Sequence, residues 1–317
     1  MSGFRAEILH WFDSGRVAPG RELELLRAAA ILPSPADWRA FLGRLTLWLG
    51  TVALATALIF FFAFNWDDLG RFAKFGLVEA AILAGLIAFW RFDLDGAPGK
   101  AVLLLLSLLT GALLALAGQV YQTGADTYEL FAWWAALILP WVLVGRFSPL
   151  WLLWLALLNL AVCLYCRLGW DGETMIWALF LLNGAMLVLW EAGHRAGLAW
   201  LRDDWPPRLV AVAAGTMATA LVVWAILGGG RGGSGALAGL AYLAWLGAVY
   251  HWYRRVRADL FMLAGGLLSL IVAVVAFLSK TMLGSDAGGY LVIGLVVIGM
   301  SAGGAVWLRA AAREQRA

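Results

Sequence analysis

Charge is scarce in this chain. Only 14% of its 317 residues are Asp, Glu, Lys or Arg, against about 25% in an ordinary soluble domain. A water-facing surface over the whole length is therefore excluded. Cysteine and histidine are nearly absent, at 2 and 3 residues. That leaves no disulfide framework and no zinc-ligand spacing. Cys163 and Cys166 form a "CLYC" pair. They fall at the C-terminal end of an apolar run, where the helix dipole does not favour a thiolate, so they read as small apolar residues. Strictly alternating apolar and polar residues are missing, which argues against a transmembrane β-barrel. "GGGRGGSG" at 228–235 has neither the Lys–Ser/Thr ending nor the preceding strand of a phosphate loop, and reads as a flexible turn. No serine elbow, nucleotide loop or haem signature appears. No metal, cofactor or catalytic constellation is expected.

What the chain has in excess is hydrophobic sequence, 63% of the total. Ten apolar runs cover 45–64, 72–90, 101–121, 129–145, 149–166, 174–190, 209–227, 235–251, 260–279 and 290–308. Each approaches the length at which a helix crosses a hydrocarbon core of about 30 Å. A helix satisfies its own backbone hydrogen bonds, which lipid cannot do. The fold class expected is all-α, a polytopic bundle of about ten transmembrane helices. Trp48, Trp90, Trp190, Trp252 and Trp307 fall near one set of run ends, and Trp66, Trp133, Trp170 and Trp224 near the other. These read as two interfacial belts.

With ten spans both ends of the chain share one side. All but five of the 23 basic residues (Arg71, Lys74, Arg167, Arg231 and Lys280) then lie on that side. The positive-inside rule makes it the cytoplasm, so the expected place is a bacterial inner membrane. The basic residues sit at helix ends and form no dense patch, so nucleic acid is not an expected partner. No cleavable signal is visible, since the first apolar run begins after residue 44.

Three regions follow: a cytoplasmic helical segment 1–44, a membrane domain 45–308 and a short tail 309–317. Two short helices are expected over 4–13 and 21–30. "PSPADW" then starts a helix that can run into the first span, with Ser34 as cap and Asp37 at the capping-box position. "LGTVALATAL" resembles "AGTMATAL", and "TGADTY" resembles "LGSDAGGY", at offsets near 160 residues. They suggest a parallel pseudo-repeat relating the first four spans to the last four.

The polar residues inside this apolar chain are few enough to weigh singly. Asp67, Asp68, Asp126, Asp171 and Asp286 each precede a helix entering from the outer side, where a capping carboxylate is favoured. Asp126 and Glu129 have capping-box spacing. Asn159 and Asn183 lie equidistant from one turn and are placed to hydrogen-bond each other across two helices. Pro140 falls inside the fourth span. "GALAG" at 235–239 and "GMSAG" at 299–303 have the spacing of close helix packing. Asn65, Glu79, Gln119 and Gln122 suit neither capping nor packing. An intramembrane carboxylate such as Glu79 is costly and marks a candidate site, and the four residues are expected to line one outward-opening pocket.

"FFFAFNWDDLGRFAKF", followed by "LAGQVYQTGADTYELFAWWAALILPWVL", resembles the bacterial predicted-membrane-protein family known as domain of unknown function 2157. The resemblance is strongest over 1–165, including a "W-x3-G-x-V" turn near the N-terminus. It implies that Asn65, Trp66, Gln119, Tyr121, Gln122 and Asp126 belong to the family pattern. It implies a location and no activity. Together with Glu79 these form the candidate ligand-binding set. Three classes of function are open. One is a transporter or channel for a small polar or cationic solute or a lipid head group. The second is a structural, sensory or accessory subunit, partnered by another membrane protein or by a second copy. The third is an envelope enzyme using Asp126 or Glu79 as acid or base.

Overall fold

The structure, a computed structural model, describes residues 10–11, 14, 20–28, 32–64, 70–122, 124–228, 233–282 and 287–314. A short helix, Glu22–Ala28, precedes ten long ones. These are α1 (Pro35–Phe64), α2 (Arg71–Arg91), α3 (Ala97–Tyr121), α4 (Thr127–Gly145) and α5 (Ser148–Cys166). Then come α6 (Gly172–Arg195), α7 (Trp205–Leu227), α8 (Gly233–His251), α9 (Leu260–Thr281) and α10 (Ala287–Glu314). Strands are absent among the described residues. Among the described residues ten helices are long and apolar enough to cross a membrane, as the ten apolar runs predict. The first of the two short N-terminal helices falls mostly outside the described residues.

The chain divides into two compact units, 1–116 and 117–317. In the first, α1 starts where the sequence places it. The Ser34 hydroxyl and backbone N–H both donate to Asp37 Oδ2, at 2.7 and 2.8 Å, and the Asp37 N–H donates to Ser34 Oγ at 3.2 Å. This reciprocal box closes the first turn. The helix then continues without a break for 30 residues, about 45 Å at 1.5 Å per residue. That exceeds the hydrocarbon core by roughly 15 Å. In the same unit α2 meets α3 at Gly85, where a Cβ would come within 2.7 Å of Leu106 Cδ2.

The second unit is organised around α7. Its small residues Ala214 and Ala218 are fully buried, with Val210 and Leu221 on the same face. This lets α5, α6, α8 and α9 all pack against it. Leu155, Met186, Leu187, Trp190, Leu201 and Val210 form one apolar cluster. Tyr242 and Ala273 join Ala218 and Val222 in a second. Between α5 and α6 the two asparagines pair as expected. Asn159 Nδ2 donates to Asn183 Oδ1 at 3.2 Å, and Asn183 Nδ2 donates back to Asn159 Oδ1 at 2.6 Å. Each amide spends its other N–H on the carbonyl four residues back, at 2.8 Å. Both donors of both amides are thus satisfied in an apolar setting, where a spare donor is costly. Cys163 and Cys166 are free thiols in the last turn of α5.

The tryptophan belts need one correction. Trp90, Trp133, Trp170 and Trp224 are exposed as an interfacial ring should be. Trp190 is 2% exposed and belongs to the core, set edge-on against Trp200 at 6.0 Å. Trp252 is half-buried and gives its indole N–H to a carboxylate, that of Glu191. Nearness to a run end does not separate a ring facing lipid from one facing a neighbouring turn.

Candidate functional site

The seven residues expected to bind a ligand fall in different places. Asn65 and Trp66 lie outside the described residues. Glu79 stands on α2, eight residues past its start and so about 12 Å in. Its side chain is exposed, and it has no hydrogen-bond or ion-pair partner among the described residues. Lys74, on the same helix, is buried and takes a different face. Gln119 is exposed in the last turn of α3, and Tyr121, also exposed, ends that helix. Gln122 is not one more helical position on the Gln119 face, as its spacing implies. Its φ is +45°, and Gly124 follows at +67°. The chain turns left-handed there because α3 must stop.

Asp126 is also corrected in part. It holds the N-cap position of α4 with extended backbone, and its carbonyl accepts from the Glu129 N–H at 3.0 Å. Its side chain makes no cap bond. Glu129 does not reach back either, and instead accepts from the Tyr128 hydroxyl at 3.4 Å. Two carboxylates in one turn repel each other, which opposes a closed Asp–Glu box. Asp171, with Thr174 at the equivalent position, does cap α6. Its carboxylate accepts from the Thr174 N–H at 2.8 Å, and that bond holds its pKa below the usual aspartate value.

The densest polar constellation of the second unit lies elsewhere, where α6 and α8 end and α7 and α9 begin. Glu191, in the last turns of α6, is 6% exposed. Its carboxylate accepts from the Tyr253 hydroxyl at 2.9 Å and the Trp252 indole N–H at 3.2 Å. It also accepts twice from one terminal nitrogen of Arg257, at 2.9 and 3.0 Å. The other terminal nitrogen of Arg257 goes to Asp204. Beside this pair Arg208 Nε donates to Asp259 Oδ2 at 3.0 Å, and Asp259 Oδ1 caps α9 through the Phe261 N–H at 2.9 Å. Arg254 pairs with Glu314 of α10, and Arg195 lies 4.8 Å over the Trp252 ring.

Local backbone geometry brings these side chains together. The chain leaves α6 through Gly197, at φ +80°. The Leu198 N–H bonds back to the Gly193 carbonyl at 3.2 Å and the Gly197 N–H to the His194 carbonyl at 3.1 Å. This is a Schellman stop, and it folds the chain over the helix end. Gly193 lets the turn pack closely, since a Cβ there would come within 2.4 Å of Leu201 Cδ1 and displace that side chain. His194 Nδ1 lies 3.0 Å from the Leu201 carbonyl and secures the same turn. On the other side α8 widens into a π turn, Trp252–Val256, closed by the Arg257 N–H to the Trp252 carbonyl at 2.9 Å. The wider turn lets Trp252, Tyr253 and Arg257 all reach Glu191.

The sequence signals this cluster only weakly. Arg254, Arg255 and Arg257 count only as topological charge, and Glu191 stands just past the sixth apolar run. The hint is that Glu191 interrupts "LVLWEAGH" at the depth of a partly buried position. Chemically the cluster is a saturated clamp that fixes four helix ends. Among the described residues no group of three or more His, Cys, Asp or Glu is placed to hold a metal ion.

No curated protein and no solved structure matches this chain. Residues 9–151 match the model of a family described as predicted membrane protein. That family is the domain of unknown function 2157, and the match is confined to that segment.

Proposed function

We propose that this chain is a non-catalytic subunit of a membrane assembly and meets its partner through α10. The observation behind this is the open glycine pair Gly299 and Gly303. Both are exposed, and a Cβ built on either meets nothing within 4 Å. Glycine inside a helix costs about 1 kcal/mol relative to alanine, and a lipid-facing position offers nothing in return. Gly304 next to them is explained within the chain, because a Cβ there would meet Leu267 of α9 at 2.2 Å. Gly299 and Gly303 are one turn apart, the spacing that lets a second helix approach closely. Leu295, Ile298 and Val306 beside them are 60–67% exposed and complete an apolar face.

The paired replacement Gly299→Ile and Gly303→Ile tests this reading. The larger species on native gels from mild detergent should disappear while the melting temperature stays within a few degrees. A larger species that persists in the variant, or a wild-type chain that runs as a monomer, overturns it.

A second reading, transport of a proton or small cation, is supported by Glu79. A carboxylate about 12 Å into a span, with no partner among the described residues, is expensive in lipid and supports an ion path. Glu79→Gln should then abolish an ion flux measured in proteoliposomes, and Glu79→Asp should retain part of it. Equal flux in wild type and Glu79→Gln counts against this reading. On either reading the excess of arginine at one set of helix ends supports an inner-membrane location with both chain ends in the cytoplasm.

A further inference from the structure

The second unit contains a cavity of about 460 Å³ between α7, α8 and α9. Its α7 wall is formed by Ala211, Gly215, Thr219 and Val223, and its α9 wall runs from Phe261 to Val272. From Phe261 to Val272 the helix rises about 16 Å, roughly half the hydrocarbon thickness. The cavity therefore has the depth of a single leaflet. Its width comes from glycines. Gly215, Gly265 and Gly266 all line it, and a Cβ on Gly265 would meet nothing within 4 Å.

The two ends of the cavity differ chemically. At the deep end the hydroxyls of Thr219 and Ser269 are spent on neighbours. Thr219 donates to the Gly215 carbonyl at 2.6 Å, and Ser269 lies 2.7 Å from Thr219 Oγ1 and 3.0 Å from the Tyr242 hydroxyl. That end has little to offer a polar ligand. At the mouth, Arg208 heads the same α7 stripe, one turn before Ala211. Its guanidinium lies 5.5 Å over the ring of Phe261, which lines the cavity. Asp259 takes only the Nε of Arg208. Among the described residues the two terminal nitrogens have no partner, and the side chain is 37% exposed. Arg202, Arg254, Arg255 and Arg313 stand at the same end of the unit, where basic residues outnumber acidic ones.

We infer that this cavity binds one acyl chain of an anionic glycerophospholipid, with the lipid phosphate on the free nitrogens of Arg208. Charge complementarity at the mouth and a hydrocarbon slot one leaflet deep select this occupant. A neutral lipid lacks the first match, and a soluble anion lacks the second. The inference does not depend on the α10 reading, since it uses neither Gly299 nor Gly303.

The test is native mass spectrometry of the full chain in mild detergent, titrated separately with dioleoylphosphatidylglycerol and dioleoylphosphatidylcholine. Wild type should hold one phosphatidylglycerol about fivefold more tightly than phosphatidylcholine, the preference expected from one arginine near the head group. Arg208→Gln should lower phosphatidylglycerol to the phosphatidylcholine level. That change also removes the Asp259 ion pair, so a second variant is needed. Gly265→Leu fills the slot from a position with free space. It should remove tight binding of both lipids without lowering the melting temperature. Equal affinity for the two lipids in wild type overturns the proposal. So does Gly265→Leu binding phosphatidylglycerol as wild type does.

Discussion

Glu191 is the residue on which most of the second unit's polar organisation converges. It receives a tyrosine, a tryptophan and an arginine while almost sealed from solvent. Removing one partner of a buried ion pair leaves the other charge uncompensated, a loss of about 3–5 kcal/mol. Glu191→Ala should therefore unfold at markedly lower temperature or denaturant than wild type. Glu191→Gln keeps two acceptor lone pairs and should lose less. Equal stability of all three proteins would mean that the clamp contributes nothing.

Asp171 and Asp126 make a sharper comparison at the same scale. Both precede a helix and both have extended backbone, so the sequence reads them alike. They differ in the third helical residue, Thr174 in one case and Glu129 in the other. Only the first leaves the aspartate free to turn inward. Asp171→Ala should lower stability, with Asp171→Ser restoring it, while Asp126→Ala should do little. The folded pKa of Asp171 is depressed. Its contribution is therefore full above the ordinary aspartate range and disappears as pH falls through the folded value. A scan of melting temperature against pH should show the wild-type advantage over Asp171→Ala vanish in acid. An advantage that persists at low pH contradicts the cap.

Among the elements, the ten helices were fully legible, because a run near twenty apolar residues has few other solutions in lipid. The start of α1 was legible too, since Ser34 and Asp37 make their box within one turn. What escaped the sequence was set by tertiary contact. Gln122 keeps helical spacing from Gln119, yet the chain has already turned left-handed at +45°. A branched side chain there should cost about 1–2 kcal/mol, so Gln122→Val should destabilise where Gln122→Gly does not. The π turn after α8 has no sequence signature, and without it the convergence of Tyr253 and Arg257 on Glu191 could not be foreseen. The asparagine pair was foreseen because two residues equidistant from a turn must come level. A double-mutant cycle with Asn159→Leu and Asn183→Leu should give a coupling of about 0.6–1.7 kcal/mol. A coupling near zero would mean that the amides do not face each other in the membrane.

For the whole molecule, ten spans and arginine-rich ends predict that both termini face the cytoplasm. A C-terminal alkaline phosphatase fusion should be inactive and a fluorescent-protein fusion bright, and the reverse pattern would require an odd number of spans. Function was less legible than topology. Gln119, Tyr121, Gln122 and Asp126 read in sequence as part of a ligand-binding set, and part of their character is explained by ending α3 and starting α4. The open pair Gly299 and Gly303 had the right spacing in sequence. Only the structure separates it from Gly304, which α9 already covers. The most direct test of the subunit reading is the mass of the wild-type chain released from its native membrane into nanodiscs without detergent exchange. A fixed stoichiometric complex is expected, either with a second copy or with one other membrane protein, and it should be lost in the Gly299→Ile, Gly303→Ile variant. A wild-type chain that is monomeric at all concentrations tested contradicts it.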